Sequence, residues 1–141
     1  MSVAGFRDYA RNGWGNSGDW VYRIRGDLTG SRSSFLSALN SLTAYNGGDT
    51  REAHLPALSY LLLSSSSCID SNGDGDCTDP FDTPSGLQPS FRSGARKVIL
   101  LATDAGFHTP QNTSGYPGPS RDAVVSSLLA RFWCETTGFG R

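Results

Sequence analysis

A chain of 141 residues, 37% hydrophobic and 18% charged, is long enough to bury one core and too short to suggest several domains. Its formal charge of −1, with 12 basic residues scattered along the chain, gives no field for gripping nucleic acid or an anionic membrane. The apolar runs are far too short to span a bilayer, and residues 1–8 lack the basic start and apolar core of a signal peptide. The chain is therefore expected either to be cytoplasmic or to have lost its true beginning.

Residues 3–8 read as a short strand ending on a carboxylate, Asp8, and the Gly- and Asn-rich residues 11–19 as an exposed turn. Residues 20–25 alternate, with Trp20, Tyr22 and Ile24 on one side and Val21, Arg23 and Arg25 on the other, so the first two strands form a hairpin with a long loop. Residues 31–43 place Phe35, Leu36, Leu39 and Leu42 on one face at helical spacing, with several serines able to cap the start. A glycine-rich loop, 46–52, leads into a second helix whose buried face is Leu55, Leu58, Leu61 and Leu62. Pro56 lacks an N–H and its ring would clash with the Glu52 carbonyl, so regular helix is expected to start near Pro56 and leave Glu52 in a turn.

Residues 64–93 form a long polar insertion, a length that usually means binding or disorder. Within it Cys68 and Cys77 bracket an acidic loop and either close it as a disulfide, which implies an oxidising compartment, or stay as two buried thiols; Cys134 is left over. Next come Val98, Ile99, Leu100, Leu101 and Ala102, five apolar residues that read as a strand covered on both faces inside a parallel sheet. Asp104 stands at the carboxyl end of this run, where open α/β sheets meet their ligands; alternatively it caps the turn at Ala105 and Gly106. Asn112-Thr113-Ser114 is a glycosylation sequon of a kind common by chance. A third helix starts at Ser120, with Asp122 near the positive end of its dipole and Val124, Val125, Leu128, Leu129 and Phe132 as its buried stripe; residues 135–141 fit no element. The order β, β, α, α, β, α indicates an α/β sheet with one hairpin.

Three segments in this order, Val-Ala-Gly-Phe-Arg-Asp (3–8), Gly-Gly-Asp-Thr-Arg-Glu-Ala (47–53) and Lys-Val-Ile-Leu-Leu-Ala-Thr-Asp-Ala-Gly-Phe-His (97–108), resemble the von Willebrand factor type A domain. The similarity is closest to the inserted domain of integrin β chains and covers roughly residues 3–130. The resemblance implies a doubly wound, Rossmann-like α/β sheet, here partial and with one antiparallel hairpin strand, and a divalent cation bound at its top and completed by an acidic group of a partner. Carried over by position, Asp104 and Glu52 resemble the adhesion-site ligands, and Thr50 is the nearest counterpart of the threonine used by other members. Asp8, Asp49, the Arg51 carbonyl and the shared Glu52 resemble the ligands of a neighbouring cation, for which Gly47 replaces an asparagine.

The family's opening strand, which ends in Asp-x-Ser-x-Ser, is absent, and no apolar strand follows Leu129. Residues 1–141 are thus expected to be a single partial type A-like domain from a larger surface or secreted protein. An exposed sheet edge in such a domain would invite self-association.

Electrostatics supports the same grouping, because carboxylates gathered at one sheet edge repel unless protonated or neutralised by a cation. Oxygen ligands without His or Cys favour a hard ion, Mg²⁺ or Ca²⁺. A second candidate is Asp70, Asn72, Asp74, Asp76 and Thr78, at positions 1, 3, 5, 7 and 9 of a calcium-loop pattern with Gly75 at position 6. Position 12 is Phe81, with Asp82 one residue late, so Ca²⁺ binding is expected to be weak. His108 and His54 invite a metal-dependent hydrolase reading, but His108 lies in the matched segment and reads as a satisfied loop histidine. The sequence therefore points to a cation-dependent binding module for a protein or other acidic ligand, outside or on the surface of the cell, and not to an enzyme. A hydrolase using His108 and an inactive truncated remnant are the alternatives.

Overall fold

The structure is a computed structural model that describes residues 1–44, 47–63, 66–93 and 95–133, with side chains as far as residue 130. Among the described residues it is a small α/β fold with three helices and two two-stranded sheets, one antiparallel and one parallel. Strand β1 (Val3–Gly5) pairs antiparallel with β2 (Arg23–Gly26), Ala4 opposite Ile24, with an irregularity between Val3 and Ala4. This is the expected hairpin. The alternation assigned to residues 20–25 fails at its start, where Trp20, Val21 and Tyr22 are all buried. Val21 packs with Tyr9, Trp14, Ala53 and Tyr116, while Tyr22 packs with Ala57 and Tyr60 and is tied to the insertion by Thr83, whose Oγ1 accepts from Tyr22 N–H at 3.1 Å and donates to Tyr22 C=O at 3.1 Å.

Helix α1 (Arg32–Asn40) begins, as its serines indicate, at Ser31, whose hydroxyl accepts from Ser34 N–H at 3.3 Å. Its leucine face is not the buried one. Leu36, Leu39 and Leu42 are exposed, and Ala38 is buried against the hairpin at Gly26, where an added Cβ would lie 2.6 Å from that of Ala38. Docking through two small residues turns the leucine row toward solvent.

Glu52 lies not in the expected turn but in strand β3 (Arg51–Glu52), which runs straight into α2 (His54–Tyr60), a helix that starts two residues before Pro56. A proline in the first turn forfeits an N–H that would have no helical partner, and the Glu52 carbonyl lies outside the helix. Leu55 and Leu62 are buried as expected, whereas Leu58 and Leu61 are half-buried. Strand β4 (Gly106–Phe107) pairs parallel with β3, Glu52 opposite Phe107. Three further backbone bonds string the strand ends together: Arg7 N–H to Trp20 C=O at 3.1 Å, Ala53 N–H to Arg7 C=O at 2.9 Å and His108 N–H to Glu52 C=O at 3.3 Å. Residues just beyond β1, β3 and β4 thereby meet at one edge.

The largest correction concerns the apolar run before β4. Residues 97–103 form no strand, and Val98, Leu100 and Leu101 are 68%, 92% and 46% exposed. A strand buried on both faces needs a hydrogen-bonded neighbour on each side and helices across it, and among the described residues the parallel sheet is one pair of two-residue strands. Helix α3 (Arg121–Trp133) starts after Ser120, whose hydroxyl accepts from Ala123 N–H at 3.2 Å. Only part of its expected stripe is buried. Val124 packs inside and Leu128 is half-buried, but Val125 and Leu129 face solvent. The side chain of Phe132 and all of 134–141, including Cys134, lie outside the described residues, as do Asn46, Ser64 and Ser65.

The insertion is folded onto α2 rather than loose. Cys68 and Cys77 form a disulfide, Ile69 and Thr83 form an antiparallel bridge, and the Tyr60 hydroxyl donates to Pro84 C=O and accepts from Leu87 N–H. Among the described residues no helix is long and apolar enough to cross a membrane.

Candidate metal centre

Asp8 follows β1 and is 1% exposed. Its Oδ1 accepts from Tyr9 N–H at 2.7 Å and from the Tyr116 hydroxyl at 3.1 Å. Its Oδ2 is buried and has no hydrogen-bond partner among the described residues. That oxygen lies 3.1 Å from His108 Nε2 but outside hydrogen-bond geometry, while Asp49 reaches the same nitrogen with Oδ2 at 3.1 Å and Oδ1 at 3.2 Å. Asp8, Asp49 and His108 offer one ligand atom each, all within 4.8 Å of one another, a grouping that can hold a metal ion.

Backbone pairing explains the convergence. Asp49 sits in the loop before β3, held by Asp49 N–H to Trp14 C=O at 3.2 Å, and its Oδ1 accepts from Arg51 N–H at 2.8 Å. His108 follows β4 and is fully buried, stacked on Tyr116 with ring centroids 4.7 Å apart. Trp14 and Tyr9 complete an aromatic wall around Tyr116. Asp49 is the open side of the group, its side chain 37% exposed.

The charges are in conflict without a counter-ion. Burial, reinforced by the charges of Glu52 and Asp49, pushes the Asp8 carboxyl up to about 7 despite its two hydrogen bonds. Glu52 is pushed up to about 7 by burial and by Asp19, Asp49 and Asp104, with Arg7 opposing, and its Oε2 is buried without a hydrogen-bond partner. Burial lowers His108 more than Asp49 raises it, and Tyr116 is raised far above the ordinary phenol value by burial and by Asp8.

Of the residues expected at the site, the fold brings Asp8 and Asp49 together, with Glu52 within electrostatic reach of Asp8. Asp104 and Thr50 are exposed and stand outside the three-residue group; Asp104 is felt through its charge on Glu52. His108, read from sequence as a satisfied loop residue, is a full member of the group. Tyr116 had no sequence signal, being 108 residues from the carboxylate it holds. His54 packs instead between Phe6 and Phe107, and burial lowers its pKa.

No family model, curated protein or solved structure matches this chain. The site's own geometry therefore carries the functional argument.

The acidic loop has its own internal order. Asp70 accepts from Gly73 and Gly75 N–H, and Asn72, Asp74 and Asp76 each accept from the backbone N–H two residues on. Thr78 donates its hydroxyl to Asp76. Asp82, the late acid, uses both oxygens on backbone N–H groups, of Ser71 at 2.9 Å and Asp79 at 3.0 Å. Asp79, unremarked in the sequence, accepts from Asn72 Nδ2 at 2.7 Å, and its pKa is raised by a hydrogen bond with Asp74.

Proposed function

We propose that this chain is a type A-like module that binds an acidic group of a partner through a divalent cation. Asp8 and Asp49 hold the cation beside His108, with Glu52 close behind. Asp104 and Thr50 lie on the exposed margin where the partner's carboxylate arrives. The observation that carries this reading is the Asp8 Oδ2 atom: a buried carboxylate oxygen with no hydrogen-bond partner among the described residues, beside a second carboxylate and an imidazole nitrogen. Burying such an oxygen is costly unless it is paired, and a cation pairs it. Asp49 gives the open side through which a partner's oxygen can complete the coordination.

Calorimetric titration of the chelator-treated chain with divalent cations tests this. Wild type is expected to bind, and Asp8→Asn, which keeps the shape and removes the charge, to lose at least tenfold in affinity; equal heats in the two proteins would refute the site. The acidic loop is proposed as a separate, weak Ca²⁺ site, of roughly millimolar affinity as in extracellular modules, because Asp82 is committed to the backbone. Its heat persists in Asp8→Asn and is subtracted. A metal-dependent hydrolase using His108 is the second reading, favoured by the contact of its Nε2 with Asp49; turnover lost in His108→Gln would support it.

A further inference from the structure

We propose that His108 is itself a ligand, through Nε2, with its tautomer set by Asn112 and Thr113, and that the centre therefore takes a first-row transition ion such as Zn²⁺ ahead of Mg²⁺ or Ca²⁺. This deepens the reading above and rests on it.

The hydrogen-bond network fixes the proton on His108 Nδ1 by elimination. Asn112 Nδ2 lies 3.0 Å from the Phe107 carbonyl, which can only accept, and its Oδ1 lies 2.8 Å from Thr109 N–H, which can only donate. The amide orientation is thereby assigned. Thr113 Oγ1 is 2.8 Å from this Oδ1, an acceptor, so the single hydroxyl proton of Thr113 goes there. His108 Nδ1, 2.7 Å from the same Oγ1, must then be the donor. A neutral imidazole with its proton on Nδ1 has a lone pair on Nε2, in line with Asp49 Oδ1 at 3.2 Å and with Asp8 Oδ2 and Asp49 Oδ2 both 3.1 Å from the nitrogen.

An imidazole nitrogen and two carboxylates thus converge, an arrangement whose mutual repulsion a cation between them relieves. Ligands at about 2.1 Å from a transition ion stand about 3.0 Å apart along an octahedral edge and about 3.4 Å apart along a tetrahedral one, which brackets the 3.1 Å from Nε2 to each carboxylate. Metal-bound histidines commonly donate the other ring N–H to an outer partner that fixes the tautomer, the place occupied here by Thr113 and, behind it, Asn112. The same bonds give Asn112 a role other than its sequon: its amide nitrogen is committed to the Phe107 carbonyl. A nitrogen ligand beside two carboxylates selects Zn²⁺ or a neighbouring transition ion, since imidazole adds little to the binding of hard ions.

The test titrates the full chain with Zn²⁺, Mn²⁺, Mg²⁺ and Ca²⁺, comparing wild type with Asp8→Asn, His108→Gln and Thr113→Val. Zn²⁺ is expected to bind wild type at least about a hundredfold more tightly than Mg²⁺ or Ca²⁺ at this centre. His108→Gln should lose about a hundredfold for Zn²⁺, Thr113→Val about tenfold, and neither more than about threefold for the hard ions. Because the buried His108 variant can fail to fold, nitrogen-15 shifts of the wild-type ring provide a second measurement: the metal-free chain should show Nδ1–H with a bare Nε2, and Zn²⁺ should shift Nε2. A ring protonated on Nε2 at pH 7.5, Zn²⁺ binding untouched in folded His108→Gln, or hard ions binding as tightly as Zn²⁺ would overturn the proposal while leaving a cation site standing. Equal heats in wild type and Asp8→Asn for every cation would instead fell the functional reading beneath it.

Discussion

Asp8 and Glu52 make opposite demands on the protein with and without a cation. Both carboxyls are held at about 7, far above 3.8 and 4.5, their values in an open chain. Between about pH 4 and about pH 7 the folded metal-free chain retains protons that the unfolded chain releases, so these groups lower stability as pH rises through that window, and the loss levels off above it. His54 and His108, depressed by burial, act with the opposite sign as pH rises toward 6.5. The clean measurement is therefore a difference: in chelator, Asp8→Asn should gain in Tm relative to wild type as pH goes from 4.5 to 7.5. A gap that stays constant or shrinks would contradict the assigned burial of this charge. At this scale the sequence showed which residues were acidic and could not show which would meet, because the meeting of Asp8 with Tyr116 and His108 is decided by contacts over about a hundred residues.

Elements place these side chains, and two of them are open to test. The loop before β3 approaches the 13–14 turn so closely that a Cβ on Gly48 would come within 2.5 Å of the Gly13 carbonyl oxygen and 2.8 Å of that of Trp14. Gly48→Ala is expected to push Asp49 out of place, destabilising the fold by about 1–3 kcal/mol and weakening cation binding although every ligand remains; thermal unfolding and titration of this variant read both effects. The Cys68 to Cys77 disulfide closes a ten-residue loop, and breaking it should cost about 2–3 kcal/mol on the chain-entropy scale. Reduction followed by denaturant titration checks this, and a midpoint unchanged on reduction would show that the bridge contributes nothing. The insertion's polarity was plain in the sequence, but its attachment was not. Tyr60, Tyr22 and Thr83 anchor it through side-chain bonds to distant backbone groups, and such bonds leave no periodicity to read.

Across the whole molecule, the apolar run before β4 stands in the open, with Leu100 92% exposed. An extended apolar segment of high β-propensity, free of proline, is an adhesive edge. The wild-type chain is expected to self-associate with rising concentration in sedimentation, and Leu100→Lys to reduce that association at no cost in Tm, since the side chain touches little. An unchanged average mass in the variant would place the contact elsewhere.

What the sequence determined by itself was local: the hairpin and the helix starts at Ser31 and Ser120. Each rests on a cap or an alternation held within a few neighbouring residues. The tertiary structure decided the rest: that the leucines of α1 face solvent, that the five-residue apolar run lacks strand neighbours, and that Asp8 and Asp49 converge on His108 while Asp104 stays outside. Burial and convergence are set by which faces dock and which distant backbones pair, and no short window of sequence contains both partners of such a contact.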